Sequence, residues 1–225
     1  MPTAIVTGAA GNLGLAVVER LLADGYRVAG ATGKRGGGVS AHENYKPFIA
    51  DLSNEGEADR FIKDASAFLA AIDVAVLTVG GFVMGDLSST SSADIEQQLQ
   101  LNFYSAYHVA RPVFLEMLTQ GHGRIFLTGS IAGEHISKSR ATVAYGLSKS
   151  LLFNLASLLN AEAGKQDVFT SVIVPSIIDT PQNRKSMPDA DTSKWIAPDE
   201  IASVIAWHAG PQALHLRQEV IRITG

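Results

Sequence analysis

Short apolar runs alternate along the chain with longer segments in which apolar residues recur every three to four positions. Runs typical of buried strands lie at residues 3–6, 27–31, 48–50, 74–78, 123–127, 169–174 and 219–223. Segments of helical period lie at residues 13–23, 59–70, 91–118, 143–163 and 199–208. This alternation predicts an α/β fold in which a doubly wound parallel sheet is covered by helices on both faces. Loop-rich segments at 33–38 and 181–195 are each followed by further strands, so we expect one domain over residues 1–225.

Composition narrows the class of protein. Hydrophobic residues make up 46% of the 225 positions, which is enough for a core, and the net charge of −4 argues against nucleic acid or an anionic membrane as the partner. The absence of cysteine excludes disulfides and thiolate chemistry and fits a reducing compartment. No signal peptide precedes the first predicted strand, and no apolar run reaches the roughly 18 residues of a membrane helix. We therefore expect a cytoplasmic protein with a small-molecule substrate and no metal.

A glycine-rich turn at residues 7–14 joins the first predicted strand to the first predicted helix. Its glycines let the backbone turn tightly and approach a pyrophosphate, whose negative charge is favoured at a helix N-terminus. A purely structural turn is the alternative, although the position between strand and helix favours a dinucleotide site. The residues predicted to contact the cofactor here are Gly8, Ala10, Gly11, Asn12, Leu13 and Gly14.

The end of the second predicted strand indicates which dinucleotide binds. An acidic residue at this place accepts hydrogen bonds from the ribose 2′-hydroxyl of NAD, whereas basic residues favour the 2′-phosphate of NADP. This chain has Thr32 followed closely by Lys34 and Arg35, and it has no carboxylate there. We therefore predict a preference for NADP(H) over NAD(H). The alternative is that the two cations are solvated loop residues, as most surface charges are.

Polar and glycine residues also follow the third and fourth predicted strands. Asp51 is placed to accept a hydrogen bond from an adenine amino group, and the alternative is that its side chain caps a turn. Gly80 and Gly81 allow the backbone to pass close to the adenosine ribose, and the alternative is an ordinary glycine turn. These positions extend the predicted cofactor site along one edge of the sheet.

Tyr145 and Lys149 are four residues apart in a predicted helix, so their side chains share a face. A cation beside a phenol lowers the pKa of the phenol and makes it a usable proton donor near neutral pH. Ser130 follows the fifth predicted strand, where its hydroxyl is placed to hydrogen-bond a substrate carbonyl. Asn102 lies inside a predicted helix, although asparagine is a poor helix former. Its amide either serves a proton relay or is buried and satisfied by the backbone. We predict that these four residues form the catalytic group.

The segment after the sixth predicted strand completes the predicted cofactor site. Pro175 ends that strand, and the backbone at Ile178 and the side chain of Thr180 follow within five residues. We expect all three positions to lie near the nicotinamide, with Ile178 and Thr180 contacting its carboxamide. Pro175 also suits a simple strand terminator.

Taken together, these motifs resemble the short-chain dehydrogenase/reductase superfamily along the whole chain. The resemblance rests on the Tyr-x-x-x-Lys pair, the glycine turn, Asp51-Leu52, Asn102, Ser130 and residues 175–180. Residues 79–82 (Val-Gly-Gly-Phe) and the segment 179–195 look like the dihydropteridine reductase branch, which reduces quinonoid dihydropterins.

The resemblance implies a single Rossmann-type domain with a seven-stranded, mostly parallel sheet, and homodimers or homotetramers built through two long helices. It implies that Tyr145 is the general acid, that Lys149 lowers the pKa of Tyr145 and holds the nicotinamide ribose, that Ser130 orients the substrate and that Asn102 supports the relay. It also adds Leu52 to the cofactor site. Two other functions compete with a reductase. A non-catalytic NADP-sensing regulator commonly lacks the Tyr-Lys pair, and a sugar-nucleotide epimerase usually has a larger C-terminal domain.

Overall fold

A computed structural model describes residues 1–34 and 41–225 of the chain, and the predicted cofactor contact of Arg35 lies outside them. Within these residues, seven parallel strands form one sheet in the order β3-β2-β1-β4-β5-β6-β7. The strands are β1 (Thr3–Thr7), β2 (Arg27–Thr32), β3 (Tyr45–Ile49), β4 (Val74–Leu77), β5 (His122–Thr128), β6 (Asp167–Pro175) and β7 (Val220–Ile223). The predicted fold class, a single Rossmann-type domain with a doubly wound parallel sheet, is confirmed.

Helices cover both faces of this sheet. They are α1 (Asn12–Ala23), α2 (Glu55–Leu69), α3 (Ser92–Gln98), α4 (Ser105–Gln120), α5 (Ile131–Glu134), α6 (Val143–Ala163), α7 (Pro181–Ser186) and α8 (Pro198–Ala209). One core lies between the sheet and α2, α4 and α6, and the other lies between the sheet and α1 and α8. Side chains along a strand alternate between the two, so Ile5 enters the first core while Ala4 and Val6 enter the second.

The strand order reverses at β1, which lies between β2 and β4. In open α/β sheets, ligands bind in the crevice outside the carboxyl ends of the strands at such a switch point. The two strand ends that flank the crevice are joined directly: Thr78 Oγ1 donates to the Thr7 carbonyl at 2.7 Å, and the Thr78 amide donates to Thr7 Oγ1 at 3.1 Å. These bonds hold the two strand ends together at the base of the crevice.

Several predicted boundaries are corrected by the structure. The third strand begins at Tyr45 and not at residue 48, and the second helix spans Glu55–Leu69 because Asn54 caps it by accepting from the Glu57 amide. The long helix expected from residue 91 to 118 begins with the predicted capping box, but a π-helical segment, Leu99–Tyr104, separates α3 from α4. The helix predicted over residues 143–163 is confirmed with those bounds.

Segment 181–195, expected to be loop, contains a short helix. Thr180 Oγ1 accepts from the Asn183 amide at 3.1 Å, and Pro181 occupies the first turn, so α7 has a regular N-terminus. The segment then returns to the residues that follow β6, because the Ile196 amide donates to the Ile177 carbonyl and the Asp179 amide donates to the Ile196 carbonyl. None of the helices within residues 1–34 and 41–225 is long and apolar enough to cross a membrane.

Candidate active site

The glycine turn lies at the switch point, and its shape requires glycine at two of its positions. Gly8 has a φ of +64°, and a Cβ atom placed on it would lie 2.7 Å from Thr78 Oγ1. A Cβ atom on Gly14 would overlap the carbonyl group of Gly8. The helix α1 then begins at Asn12 with Gly11 as its N-cap, and no acidic side chain lies in its first turn. The free amides at this end fit the phosphates of a dinucleotide.

The predicted adenosine end of the site is arranged around Asp51. One carboxylate oxygen of Asp51 accepts from the amide of Ser53 at 3.1 Å and from its hydroxyl at 2.6 Å, so the residue caps a turn, as the alternative interpretation proposed. These bonds, together with the nearby Lys34 ammonium, hold the pKa of Asp51 below its usual value. The structure thus brings Lys34 and Asp51 to the same edge. The Thr32 hydroxyl is buried and donates to the Phe48 carbonyl at 3.3 Å, so it is directed into the sheet. Leu52, which the resemblance added to this end, is buried in the core.

Asn102 fixes the backbone that follows β4. Its side chain is fully buried, its Oδ1 accepts from the Gly81 amide at 2.9 Å, and its Nδ2 donates to the Gly81 carbonyl at 3.0 Å. A Cβ atom on Gly80 would lie 2.7 Å from Asn102 Oδ1, which explains the glycine there. Asn102 lies in the π-helical segment, so the predicted disturbance of the helix is present. The buried amide is satisfied partly by the Gly81 backbone and partly by side chains.

Lys149 is buried at the carboxyl end of β5. The residue is 4% exposed, and its Nζ donates to the Thr128 carbonyl at 2.7 Å. Burial lowers the pKa of Lys149 to about 8. A Cβ atom on Gly80 would lie 3.1 Å from this Nζ, so the ammonium group also borders the segment that follows β4. The group therefore gains and loses its proton near pH 8.

Tyr145 lies one turn before Lys149 on α6, next to Ser130 and Phe82. Ser130 is the N-cap of α5, and its Oγ accepts from the Gly133 amide at 3.1 Å. The Tyr145 and Phe82 rings pack edge to face, with centroids 5.0 Å apart and planes at 73°. The structure thus brings all four predicted catalytic residues to the carboxyl ends of β4 and β5.

The expectation that Lys149 lowers the pKa of Tyr145 is wrong for this arrangement. Burial raises the pKa of Tyr145, and the opposing influence is the hydroxyl of Ser130, which lowers it. The physical reason is that burial lowers the pKa of Lys149 to about 8 and raises the pKa of Tyr145, so the amine has lost its charge before the phenol titrates. Spacing along a helix predicts a shared face but says nothing about the burial of each group. The phenol is therefore held in its protonated form.

The predicted nicotinamide segment follows β6. Pro175 is the last residue of that strand, and the carbonyl of Ile178 accepts from Asn183 Nδ2 at 2.8 Å. Thr180 caps α7 through its hydroxyl, which accepts from the Asn183 amide. The Thr180 hydroxyl and the Ile178 carbonyl are thus engaged in holding α7, while the segment as a whole stays at the same edge of the sheet as the catalytic group.

Sequence reasoning missed two polar residues behind the site. Asn102 Nδ2 also lies 3.0 Å from Gln98 Oε1 and 3.0 Å from Ser148 Oγ, and Ser148 in turn donates to the Tyr145 carbonyl at 2.8 Å. All these side chains are buried. A polar residue one helical turn before Asn102 was the available signal for Gln98, because both then face the core.

Comparisons with known proteins agree with this geometry. A family model described as short chain dehydrogenase matches residues 2–191. The cyclic-di-GMP-binding biofilm dispersal mediator protein of Escherichia coli (strain K12) is 27% identical over 218 residues, which cover 94% of this chain and 90% of that protein. The 3-oxoacyl-(acyl-carrier-protein) reductase FabG of Escherichia coli (strain K12) is 22% identical over 234 residues, which cover 99% and 95%.

A solved structure, the short-chain dehydrogenase/reductase from Serratia marcescens, superposes on the chain with a TM-score of 0.84 at 20% identity, and the match covers 99% of this chain and 96% of that one. At this identity the superposition shows the fold alone. The family model, by contrast, matches most of the sequence, including the glycine turn and the Tyr-Lys pair. The chain therefore belongs to the short-chain dehydrogenases, a family of NAD(P)-dependent oxidoreductases.

Proposed function

We propose that this protein is an NADP(H)-dependent reductase that transfers hydride to a carbonyl or quinonoid dihydropterin-like substrate, with Tyr145 as the general acid. The observation that carries the proposal is the convergence of a half-buried phenol and a buried amine on residues 80–82, beside the glycine turn. Lys149 Nζ borders Gly80, and the Tyr145 ring packs on Phe82. Burying an amine with no carboxylate partner costs stability, so a chemical role is the natural reason for it.

The chain fits a dinucleotide along one continuous edge. The phosphates would lie against the free amides at the start of α1, in a space that a side chain at Gly8 or Gly14 would fill. The residues that would hold the cofactor are Gly8, Ala10, Gly11, Asn12, Leu13, Gly14, Thr32, Lys34, Arg35, Asp51, Leu52, Gly80, Gly81, Lys149, Pro175, Ile178 and Thr180. When bound, the reduced nicotinamide supplies the hydride.

The protonation states favour reduction. The phenol of Tyr145 carries its proton at neutral pH, and the Ser130 hydroxyl, which lowers the pKa of the phenol against the effect of burial, would ease donation of that proton to the substrate oxygen. The Ser130 hydroxyl lies beside the phenol and would orient the same oxygen. Lys149, with a pKa of about 8, holds a proton at Nζ near the nicotinamide ribose position and can replace the one that Tyr145 loses. Asn102 keeps Gly81 in place on the other side of the site.

Preference for NADP(H) is supported by charge at the end of β2. Lys34 is exposed and its ammonium acts on Asp51, so a cation lies at the adenosine end, and Arg35 follows it in the sequence. A carboxylate that would repel a 2′-phosphate is missing from residues 30–34. The comparison that tests this is kcat/KM for NADPH against NADH, in wild type and in Lys34→Glu, and the NADPH advantage should shrink in the variant.

Residues 79–82 and 179–195 support the dihydropteridine reductase-like branch, and FabG, whose name describes a 3-oxoacyl reductase, supports a carbonyl acceptor. The direct experiment follows NADPH absorbance with quinonoid dihydropterin, aldehydes, ketones and quinones. Tyr145→Phe should lose turnover while keeping NADPH affinity, and Tyr104→Phe, a matched change on the exposed side of the π-helical segment, should keep both. Unchanged turnover in Tyr145→Phe would remove that residue from the chemistry.

A nucleotide-binding regulator without turnover is the second candidate, and the relative named as a cyclic-di-GMP-binding dispersal mediator favours it. The same experiment separates the two. A regulator binds NADPH or a second nucleotide in titrations but oxidises no NADPH with any acceptor. We also propose that the protein is cytoplasmic and that it forms a homodimer or homotetramer. The exposed Leu115 of α4 and Leu158 of α6 support the oligomer.

A further inference from the structure

Residues 82–84 form a short apolar segment, here called the strap, that is held at both ends by backbone hydrogen bonds. Before it, Gly81 is bonded through its amide and its carbonyl to Asn102. After it, the Gly85 amide donates to the Ala141 carbonyl at 2.8 Å, and the Val143 amide donates to the Gly85 carbonyl at 2.8 Å. The strap therefore spans from the end of β4 to the start of α6, the helix that carries Tyr145, with both of its anchors fixed.

The side chains of the strap are apolar and exposed. Phe82 is 63% exposed, Val83 is 37% exposed and Met84 is 69% exposed. Single exposed apolar residues are ordinary, but three in a row on an anchored segment form a continuous apolar surface. Phe82 also packs edge to face on Tyr145, so this surface begins at the group that would deliver the proton.

We propose that the strap is the wall that recognises the substrate, and that the substrate of the proposed reductase carries an uncharged ring directly on its reacting carbonyl. This inference rests on the proposed function. The carbonyl oxygen must reach Tyr145, and the Phe82 centroid lies 5.0 Å from the Tyr145 centroid. A ring bonded to the carbonyl carbon then meets Phe82, which offers an aromatic surface and no hydrogen-bonding group.

The reaction balances as a carbonyl reduction. The carbonyl carbon gains a hydride, which forms the new C–H bond, and the oxygen gains the proton that leaves Tyr145. The C=O π bond breaks, the substrate is reduced to an alcohol by two electrons, and the nicotinamide is oxidised. Phe82 takes no part in these bonds and acts as a specificity-determining residue.

A matched pair of substrates tests the proposal. 1-Phenylpropane-1,2-dione and butane-2,3-dione share the reacting dicarbonyl and differ by a ring in place of a methyl group. With NADPH, wild type should show the higher kcat/KM for the phenyl compound, and Phe82→Ala should lower that preference roughly tenfold. Phe82→Leu keeps apolar bulk without the ring, and its preference for the phenyl compound should lie between those of wild type and Phe82→Ala. Leu87→Ala removes an exposed apolar side chain beyond the Gly85 anchor and should keep the wild-type preference.

The outcomes separate this inference from the function on which it rests. An equal kcat/KM for the two diones in wild type, or the same preference in Phe82→Ala as in wild type, overturns the strap as the recognising wall. A clear preference for quinonoid dihydropterin over both diones also overturns it, while the proposed reductase function stands. Failure to oxidise NADPH with every acceptor, by protein that binds NADPH in a fluorescence titration, overturns the proposed function and the inference together.

Discussion

Replacing Lys149 with methionine should remove a destabilising charge from the folded protein. Lys149 is 4% exposed, and no carboxylate pairs with it within the described residues. Its pKa falls from the usual value of 10.5 to about 8 because burial disfavours the ammonium form. Methionine has a similar length and volume and carries no charge. The substitution therefore tests burial of the charge with little change in packing.

The magnitude follows from the two pKa values. A fall from 10.5 to about 8 corresponds to about 3 kcal/mol of lost stability when the group is protonated in both states. Lys149→Met recovers this amount but leaves the Thr128 carbonyl without its donor, which costs about 1–3 kcal/mol. At neutral pH the variant should therefore be as stable as wild type, or more stable by up to about 2 kcal/mol. A lysine that serves stability alone would give a large loss instead.

The pH dependence of the free energy of unfolding is the sharper test of the buried charge. The cost of the unpaired Thr128 carbonyl is the same at every pH, so it cancels when stabilities at two pH values are compared. Since the folded pKa is the lower of the two, the unfolded state binds more protons between about pH 8 and 10.5, and stability rises with pH in that window. Below the window both states are protonated and the penalty is constant. Wild type should gain about 2 kcal/mol relative to Lys149→Met between pH 7.5 and 9.5.

Urea unfolding followed by tryptophan fluorescence at a fixed protein concentration measures these differences. The exposed Lys165 provides a matched control, because Lys165→Met should keep the wild-type dependence on pH. Two results would refute the reasoning. One is a parallel pH dependence of wild type and Lys149→Met, and the other is a loss of more than about 3 kcal/mol in the variant at neutral pH.

Three further changes address other parts of the molecule. Gly14→Ala puts a Cβ atom against the Gly8 carbonyl, so NADPH affinity in a fluorescence titration should fall by at least roughly tenfold, and unchanged affinity would contradict the role of the turn. Glu134, whose side chain is 10% exposed, pairs with Arg222 of β7. Glu134→Arg and Arg222→Glu should therefore each lower the midpoint temperature of unfolding, and the double variant should recover part of the loss. Purely additive losses would contradict a coupling between the two residues. Leu158→Lys should shift the mass from light scattering towards the monomer, and an unchanged mass would exclude the exposed face of α6 as the contact.

The sequence was sufficient to predict the position of an element wherever that element is long or fully buried. The alternation of apolar residues located β1 and β4, in which every residue is buried, and helical period located α6 without error. It was insufficient for short elements whose stability comes from distant partners. The start of β3 depends on Tyr45, whose ring packs over Gly30 in the neighbouring strand. No local sequence pattern predicts that contact.

The candidate site was partly predictable for the same reason. Residue types, spacing and the resemblance to the family were enough to predict that Tyr145, Lys149, Ser130 and Asn102 belong to one site. The pKa of Tyr145 was not predictable, because its direction depends on how deeply the phenol is buried. Spacing identifies neighbours along a helix, whereas desolvation depends on everything packed around them.

Asn102 shows how the fold ties these residues into one unit. Its two N–H donors face three acceptors, on Gly81, Gln98 and Ser148, and its oxygen takes the Gly81 amide. It therefore connects the segment after β4 with the π-helical turn and with α6, the helix that carries Tyr145. Because one N–H must be shared between acceptors, an altered position of any of the three elements is felt by the other two. The strap follows Gly81 directly, so the apolar wall, the proton donor and the backbone that would border the cofactor are positioned by the same buried amide.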